Sequence, residues 1–376
     1  MEIVILFIGD YSSVHSELCL ALRKSGKNVV LMSDGDSYKK LKYDIKVPDI
    51  KNYNYNFINK IMNCFRFFGL FGIKDYFYIK KVLNGFSNIE IVQLINPVAI
   101  PSLGALGNFL LFRYLRKKAK VISLCALGDD YNWVSACLNK NYKYSAMDRM
   151  DRGLNEFLSY INALKYVYSP LYRFLNKYVV ENVDLIIPGV KDYEIAYKNE
   201  PKLIEIIGLP VSDVNFHLPS ATKYPIRIFH AWQRGKENRK GNDVLDNLIK
   251  KYISIHGNEK ICYEVVGNLS FDQYIQKYKN SDIIFDQIYG YDRGVTAALG
   301  MASGKVLFSG FEEGHFEIGV NATPDEDKLY SDFVSLIESV ELIDSIKKSA
   351  FDFACENYRS DVVSKKYLDA WSRCLK

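Results

Sequence analysis

Strand-length apolar runs alternate with helical patterns along almost the whole chain, and this alternation constrains the fold more than any other feature. The first run, EIVILFI, is followed by a helical pattern at 14–25 in which Val14, Leu18 and Leu22 fall on one face. The later runs are NVVLMS (28–33), IEIVQLI (89–95), KVISLCA (120–126), VDLIIPG (183–189), KLIEIIG (202–208), IRIFHA (226–231), ICYEVVG (261–267) and DIIF (282–285). Helical patterns near 102–118 and 242–255 lie between them, and Asn242 is predicted to cap the second. Such alternation predicts parallel sheets covered by helices on both faces.

A polar, proline-bearing segment, PVSDVNFHLPSATKYP (210–225), interrupts the alternation once. The chain has 376 residues, and at roughly 150 residues per domain two domains are expected. The sequence therefore predicts a first domain at 1–210 and a second at 211–356, both doubly wound α/β.

Nothing in the composition indicates a membrane span or a disulfide framework. Residues 91–112 carry no charge, but Pro97, Pro101 and three amide side chains interrupt the run, which favours a strand, a loop and a helix start. The opening MEIVILFIGD is predicted to be a buried strand and not a signal peptide. The 7 cysteines are odd in number and widely spaced, which fits a reducing cytoplasm.

Polar and basic segments follow the predicted strands, at the edge where open parallel sheets bind ligands. They are GDYSSVH (9–15), LGDDYNW (127–133), HAWQRGKENRKG (230–241), GNLS (267–270) and DQIYGYDRG (286–294). The third contains a basic turn that leads into a helix and suits a diphosphate, with Gln233, Arg234, Lys236, Arg239 and Lys240. His230, at the end of the strand, is expected to face that group. The alternative is a solvated charged turn.

The fifth segment places Asp286 and Gln287 at a strand end and Gly294 at a helix start. Side chains there can reach sugar hydroxyls, and free helical N–H groups can reach phosphate. The alternative is that Asp286 only caps the following turn.

These two segments resemble the carboxyl-terminal domain of GT-B glycosyltransferases, particularly the retaining family 4 enzymes of bacterial surface-polysaccharide synthesis. Arg234 and Lys240-Gly241 have the spacing of that family's basic turn, and LGMASGKVLFSG is similar to its EAMASGKPVI signature. The amino-terminal GDYSSVHSELCLALRKSGKNVVLMSDGD is similar to the first Rossmann unit of the same enzymes. The resemblance implies a GT-B fold, with two Rossmann-like parallel-sheet domains facing across a cleft. It also implies that a helix at 357–376 crosses back to the first domain.

The resemblance implies a nucleotide-sugar donor bound mainly by the second domain, with a carbohydrate or lipid-linked glycan as acceptor. Arg234 and Lys240 would neutralise the departing diphosphate, and Asp129 or Asp130 would orient or deprotonate the acceptor hydroxyl. An equally supported alternative makes one of these aspartates a helix cap. The nucleotide sugar is a substrate, and no metal, other cofactor or nucleic acid is expected. The remaining donor contacts are assigned to His230, Gln233, Asp286, Gln287, Tyr291, Arg293 and Gly294, and the acceptor contacts to Gly9, Asp10, Ser13 and His15.

One departure from the family pattern bears on function. The family's two glutamates correspond to Tyr291 and Leu299, and a leucine cannot accept a hydrogen bond from ribose. Asp286, Gln287, Asp292 or Arg293 would have to compensate, and an inactive relative that binds nucleotide or glycan is the alternative. A nicotinamide-dependent oxidoreductase also suits the Rossmann pattern, but the first strand lacks G-x-G-x-x-G.

Between Tyr53 and Phe86, aromatic residues are interleaved with five cations, and Asp75 is the only acid. Rings at an acyl boundary and cations at anionic headgroups are typical of interfacial segments. A second basic aromatic stretch occupies 164–180. The prediction is a cytoplasmic protein that is peripheral on the inner face of the membrane, and the alternative is ordinary amphipathic helices packed on the sheet.

Overall fold

The computed structural model describes residues 3–36, 41–48, 56–232, 237–267, 269, 271–313 and 316–375. The chain divides into two compact α/β units. Unit 1 comprises residues 1–139, 160–207 and 364–376, and unit 2 comprises residues 140–159 and 208–363.

The core of unit 1 is a 6-stranded, fully parallel sheet of order β3-β2-β1-β4-β5-β6. Its strands are β1 (Val4–Ile8), β2 (Val29–Ser33), β3 (Ile45–Lys46), β4 (Ile89–Leu94), β5 (Ala119–Ala126) and β6 (Leu185–Pro188). Every residue of β1 and β6 is buried, which is typical of parallel strands with helices on both faces.

Nine helices contribute to unit 1 in the described part of the chain. They are α1 (Val14–Lys24), α2 (Asn56–Phe68), α3 (Ile73–Leu83), α4 (Gly104–Arg116), α5 (Tyr131–Leu138), α7 (Ile161–Tyr168), α8 (Pro170–Asn182), α9 (Lys191–Ala196) and most of α16 (Ser360–Cys374). Trp371 of α16 is fully buried, and its Nε1 donates to Gln93 Oε1 of β4 at 3.1 Å.

Unit 2 has a 5-stranded parallel sheet of order β11-β10-β9-β7-β8. Its strands are β7 (Ile226–Ala231), β8 (Ile261–Val266), β9 (Ile283–Gln287), β10 (Val306–Ser309) and β11 (Val320–Asn321). The helices are α6 (Leu154–Ser159), α10 (Glu237–Lys240), α11 (Asn242–His256), α12 (Phe271–Lys279), α13 (Val295–Ala302), α14 (Glu326–Ile337) and α15 (Val340–Asn357). Side chains of β7, β9, β10, α11 and α14 form one apolar core that includes Phe285, Phe308 and Phe333.

The predicted fold class, two doubly wound α/β domains with parallel sheets, is confirmed. The strand predicted at 202–208 is wrong, because only Leu203 pairs there, in an isolated bridge to Ile186. Asn242 is the first residue of α11 and not its cap, which is Gly241. The observed division also differs from the predicted one at 140–159, which pack with unit 2. Ser270, in the polar segment GNLS, lies outside the described residues.

No described helix combines the length and the apolar character that crossing a bilayer requires.

Candidate functional site

Lys240 and Asp286 form an ion pair at the carboxyl edge of the unit 2 sheet. Lys240 ends α10, and its Nζ lies 2.8 Å from Oδ1 of Asp286 in β9. The carboxylate is almost fully buried, and its Oδ2 accepts a hydrogen bond from Ser309 at 3.4 Å. The sequence predicted a role for each residue separately, and the structure brings them together. Both Asp286 oxygens have protein partners, and among the described residues the ammonium of Lys240 pairs with this carboxylate alone, which leaves N–H donors for another anion.

The turn after Lys240 is fixed against the end of β9. The carbonyl of Lys240 accepts the Ile288 N–H at 2.8 Å. Gly241 has φ of +73°, and an added Cβ would lie 3.0 Å from the Tyr289 ring, so glycine suits this position on both grounds. The ammonium and the start of α11 are therefore held in one arrangement.

Asp243 in the first turn of α11 is bound by Arg149. Two guanidinium nitrogens donate to its two carboxylate oxygens at 2.5 and 2.7 Å, the bidentate geometry typical of strong arginine–carboxylate pairs. Partial burial acts to raise the pKa of Asp243, but the Arg149 hydrogen bond and charge hold it below its usual value. The guanidinium also lies 5.9 Å from the Tyr289 ring centroid. Nothing in the sequence signals Arg149, because the pair joins residues 94 positions apart.

His230 is buried at the end of β7, and both ring nitrogens have protein partners. Asn242 Nδ2 lies 2.8 Å from Nε2, and the Tyr263 hydroxyl lies 2.7 Å from Nδ1. Burial lowers the pKa of His230 to about 4, so the ring is neutral at pH 7. The ring fixes the first residue of α11, and its predicted contact with a donor stays a prediction.

The start of α13 combines open backbone with buried side chains. Gly294 is the N-cap, and an added Cβ there would meet no atom within 4 Å. Arg293 is buried with its guanidinium 3.9 Å from the Phe311 ring centroid, and burial lowers its pKa. Tyr291 is buried against Tyr142, and Gln287 is half-buried. The donor contacts assigned to these residues stay predictions.

Leu299, at the position of the second family glutamate, is buried within α13. Arg234 and Gln233, together with Lys236, lie outside the described residues. Of the cations predicted in this turn, Arg239 and Lys240 lie in α10, and Lys240 is the one paired with Asp286.

In unit 1, the loop after β1 is stabilised by its own backbone packing and hydrogen bonds. Gly9 has φ of +76°, and an added Cβ would lie 2.3 Å from the Ala99 carbonyl oxygen. Asp10 is buried, and its carboxylate accepts the first-turn N–H groups of His15 and Ser16 at 2.9 and 3.1 Å, although the N-cap position of α1 is Ser13. Burial raises the pKa of Asp10 to about 6. Ser13 adopts a left-handed φ of 68°, an uncommon conformation that is enriched at functional loops.

His15 is fully buried in the same loop, with Nδ1 at 2.6 Å from the Gly9 carbonyl oxygen. That contact assigns the proton to Nδ1, and Nε2 has no hydrogen-bond partner among the described residues. Burial lowers the pKa of His15 to about 3. The acceptor contacts assigned to Gly9, Asp10, Ser13 and His15 stay predictions.

The two aspartates after β5 have different environments. Asp130 is the N-cap of α5: Oδ1 accepts the Trp133 N–H at 2.8 Å and Oδ2 accepts the Tyr197 hydroxyl at 2.6 Å. Burial raises the pKa of Asp130 to about 7. Asp129 is half-buried, and its charge acts on Lys165 and on the phenols of Tyr11, Tyr166 and Tyr193. The helix-cap role therefore belongs to Asp130, and Asp129 is the more accessible carboxylate.

Sequence analysis assigned no role to Tyr11, Lys165 or Tyr166, on which the charge of Asp129 acts. Tyr166 and Lys165 lie in the basic aromatic stretch that the sequence did single out, but as a membrane-facing segment. Within the described residues, no group of three or more His, Cys, Asp or Glu side chains is arranged to hold a metal ion.

Two α/β units, each built on a parallel sheet of this order, are the architecture of the GT-B class of fold. No protein-family model matches the sequence, and no curated protein sequence matches it. Among solved structures, a glycosyltransferase from Rickettsia africae ESF-5 is similar at 14% identity and TM-score 0.57, covering 100% of this chain and 99% of that one. HepE from Anabaena, in complex with UDP and glucose, is similar at 9% identity and TM-score 0.60, covering 99% and 100%.

A UDP-GlcNAc 2-epimerase from Neisseria meningitidis, bound to UDP-GlcNAc, is similar at 11% identity and TM-score 0.50 over 99% of this chain and 100% of that one. At these identities the likeness establishes the fold, and the chemistry has to be argued from the residues.

Proposed function

We propose that this protein is a glycosyltransferase of the family 4 type, which transfers a sugar from a nucleotide-sugar donor to a carbohydrate or lipid-linked glycan. The observation that carries the proposal is the Lys240–Asp286 pair at the carboxyl edge of the unit 2 sheet. The carboxylate orients an ammonium that keeps free donors, next to the fixed start of α11 and the open start of α13. The ligands named for HepE and for the epimerase, UDP with glucose and UDP-GlcNAc, both contain a uridine diphosphate group, which supports a diphosphate at this edge.

In this proposal unit 2 binds the donor and unit 1 binds the acceptor. Lys240, with Arg234, stabilises the negative charge that develops on the diphosphate as it leaves, an electrostatic effect worth about 3 kcal/mol per well-placed donor. Asp286 acts as a positioning residue for Lys240. Asp129 orients the acceptor hydroxyl and accepts its proton. Because cationic side chains stabilise the leaving group, no metal ion is assigned to that task, and transfer is proposed to retain the anomeric configuration.

The test is turnover of a panel of nucleotide sugars by the wild-type protein and by Lys240→Gln. Loss of the ammonium is expected to lower kcat/KM by about 100-fold or more, since this is the usual effect of removing one transition-state donor. Lys251→Gln is the matched control, because Lys251 lies on the exposed part of α11 and its nearest carboxylate, Asp327, is 3.9 Å away. Turnover that is insensitive to Lys240→Gln would contradict the proposal.

Two further readouts separate the proposal from its alternatives. Formation of a 2-epimerised nucleotide sugar, without transfer, would indicate epimerase chemistry. Donor binding without turnover of any acceptor would support an inactive relative, the alternative that Leu299 suggests. NMR of the product anomer and activity in a chelator test the retaining and metal-independent parts.

We also propose that the protein is cytoplasmic and associates with the inner face of an anionic membrane. Large apolar side chains of α2, α3 and the connection between them are exposed: Ile61, Phe65, Phe68, Leu70, Ile73, Phe77 and Tyr78. Arg66, Lys74, Lys80 and Lys81 lie among them. Co-sedimentation with phosphatidylglycerol vesicles that weakens with salt is expected, and no binding at low ionic strength would contradict this part.

A further inference from the structure

The strand β8 forms one edge of the unit 2 sheet, and among the described residues it pairs with β7 alone. The other sheet edges are short or covered. The edge strands β3 and β11 have 2 residues each, and the β6 edge is covered because the Ile204 N–H donates to the Ile186 carbonyl oxygen at 3.0 Å. Native proteins usually protect sheet edges in these ways, because an open edge can pair with a strand of another chain. The β8 edge, with 6 residues, has neither protection in the part of the chain that the structure describes.

The backbone bonding of β8 shows which residues face this open edge. The carbonyl oxygen of Lys260, just before the strand, accepts the Ile226 N–H of β7 at 2.8 Å. Successive residues of a strand direct their backbone groups to opposite sides, so the even-numbered residues of β8 face β7. Tyr263 and Val265 therefore present their N–H and C=O groups to the open edge, where they can form the bonds of a further strand.

Two opposite charges and a cysteine lie on one face of the same segment. Lys260, Cys262 and Glu264 are two positions apart, so their side chains share a face. Cys262 is exposed, and the side chains of Lys260 and Glu264 are 44% and 47% exposed. Within the chain Lys260 pairs with Glu338, and Glu264 pairs with Lys277. Exposed pairs of this kind are individually weak, and each charge has hydrogen-bonding capacity for a second partner.

We propose that β8 pairs antiparallel with β8 of a second copy of this chain, which joins the two unit 2 sheets in a symmetric dimer. Outward-facing residues must lie opposite one another, and among the registers that satisfy this the charges decide. Centring on Glu264 opposes two carboxylates, and centring on Tyr263 leaves Lys260 opposite Val266. Centring on Cys262 places Lys260 of each copy opposite Glu264 of the other. This inference goes beyond the proposed transfer reaction and does not depend on it.

The dimer is expected to be reversible. One pair of short strands, with Val265 as an exposed apolar side chain at the edge, buries less surface than the roughly 1,200–2,000 Å² of stable, specific interfaces. The dissociation constant is therefore expected in about the micromolar range.

Sedimentation equilibrium of the full chain under reducing conditions tests the dimer. Lys260→Glu and Glu264→Lys each place like charges opposite one another twice, and each is expected to weaken self-association at least tenfold. An equimolar mixture of these two variants pairs opposite charges again and is expected to dimerise like the wild type. Each variant has the same fold in the mixture as alone, so this recovery reports on the interface. Lys251→Glu is the matched control, since Lys251 lies on α11 near Asp327 of α14.

A chain that stays monomeric up to about 1 mM, well above the expected dissociation constant, would overturn the proposal and show that the charges on β8 protect its edge. A dimer that neither substitution weakens, or a mixture that does not recover, would overturn it as well.

Cys262 reports on the register. Two residues opposite each other in the proposed pairing have Cα atoms about 4.5 Å apart, within the range that a disulfide spans. Oxidation with copper phenanthroline is expected to give a covalent dimer that Cys262→Ser abolishes and that Cys374→Ser, at another exposed cysteine, retains. Absence of a cross-link that depends on Cys262 would contradict the proposed pairing.

Discussion

At the residue scale, two adjacent aspartates differ in what surrounds them. Both oxygens of Asp130 are used inside unit 1, by Trp133 and Tyr197, whereas Asp129 is half-buried and acts on Lys165 and Tyr166. The sequence Gly-Asp-Asp is compatible with a helix cap and an accessible carboxylate, but it does not show which aspartate has which role. Only the direction of each side chain decides it, and that direction follows from where α5 begins.

The buried carboxyl of Asp130 predicts a pH dependence of stability. Its pKa is raised to about 7 in the folded protein, from 3.8 as the reference value. The folded state therefore holds this proton between pH 4 and 7 while the unfolded chain loses it, so the contribution is present below pH 4 and is lost as pH rises. In Asp130→Asn this titration is absent. The free energy of unfolding of wild type relative to Asp130→Asn is expected to fall by up to about 1.4 kcal/mol per pH unit across that window.

Urea unfolding at several pH values measures this difference. Asp148→Asn provides a control in unit 2, where the Asp148 carboxylate pairs with Lys140 and accepts hydrogen bonds from Ser145. A wild-type advantage that is constant or rises between pH 4 and 7 would contradict the prediction.

At the element scale, the first turn of α11 is held on several sides. Asp286 forms an ion pair with Lys240, and the Ile288 N–H donates to the Lys240 carbonyl oxygen. The His230 ring is hydrogen-bonded to Asn242, and Arg149 donates to the Asp243 carboxylate. Catalytic and binding groups need supporting contacts that fix them within a fraction of an ångström. Arg149 also neutralises Asp243, whose negative charge would otherwise repel a diphosphate at this helix start.

Removal of Arg149 is therefore expected to weaken donor binding more than turnover. In Arg149→Met, the KM for the nucleotide sugar is expected to rise about tenfold with a smaller change in kcat. The double variant Arg149→Met/Asp243→Asn should recover most of the affinity, because it removes the uncompensated carboxylate as well. Arg152→Met, at an exposed position of the same segment, is the control. An Arg149→Met enzyme with wild-type KM would show that the pair only stabilises unit 2.

The sequence predicted the helices and strands better than the side-chain contacts between them. Apolar runs identified most strands because parallel strands buried on both faces are continuously hydrophobic. The short edge strands β3 and β11 carry no such signal, and the apolar run at 202–208 made only an isolated bridge. Lys240 and Asp286 were each predicted from their places after strands, but Arg149 and Lys165 reach their sites through tertiary packing that no local pattern encodes.

At the scale of the whole molecule, α16 packs against the parallel sheet of unit 1. Tyr367 and Trp371 of α16 are buried in unit 1, with the Tyr367 hydroxyl 3.8 Å from Cys125 Sγ. Trp371→Ala is expected to destabilise unit 1 by about 3–5 kcal/mol, since it leaves a large cavity and removes the hydrogen bond to Gln93. Leu375→Ala, at a more exposed position of the same tail, is the control.

The loss of stability is measured by thermal unfolding and, separately, by the hydrogen-exchange protection of backbone amides in β4 and β5. Equal protection of these strands in Trp371→Ala and Leu375→Ala would contradict the assignment of the tail to unit 1.

The interleaved division of the chain has a consequence for its synthesis on the ribosome. Arg149 emerges 94 residues before Asp243, and Gln93 emerges 278 residues before Trp371. A vectorially made protein usually finishes its leading domain first. Here the sheet of unit 1 lacks its contact with Trp371 until residue 371 has been synthesised, and the segment around Arg149 lacks its partner Asp243 until α11 has been made. Neither unit can therefore complete its packing before these later residues have left the ribosome.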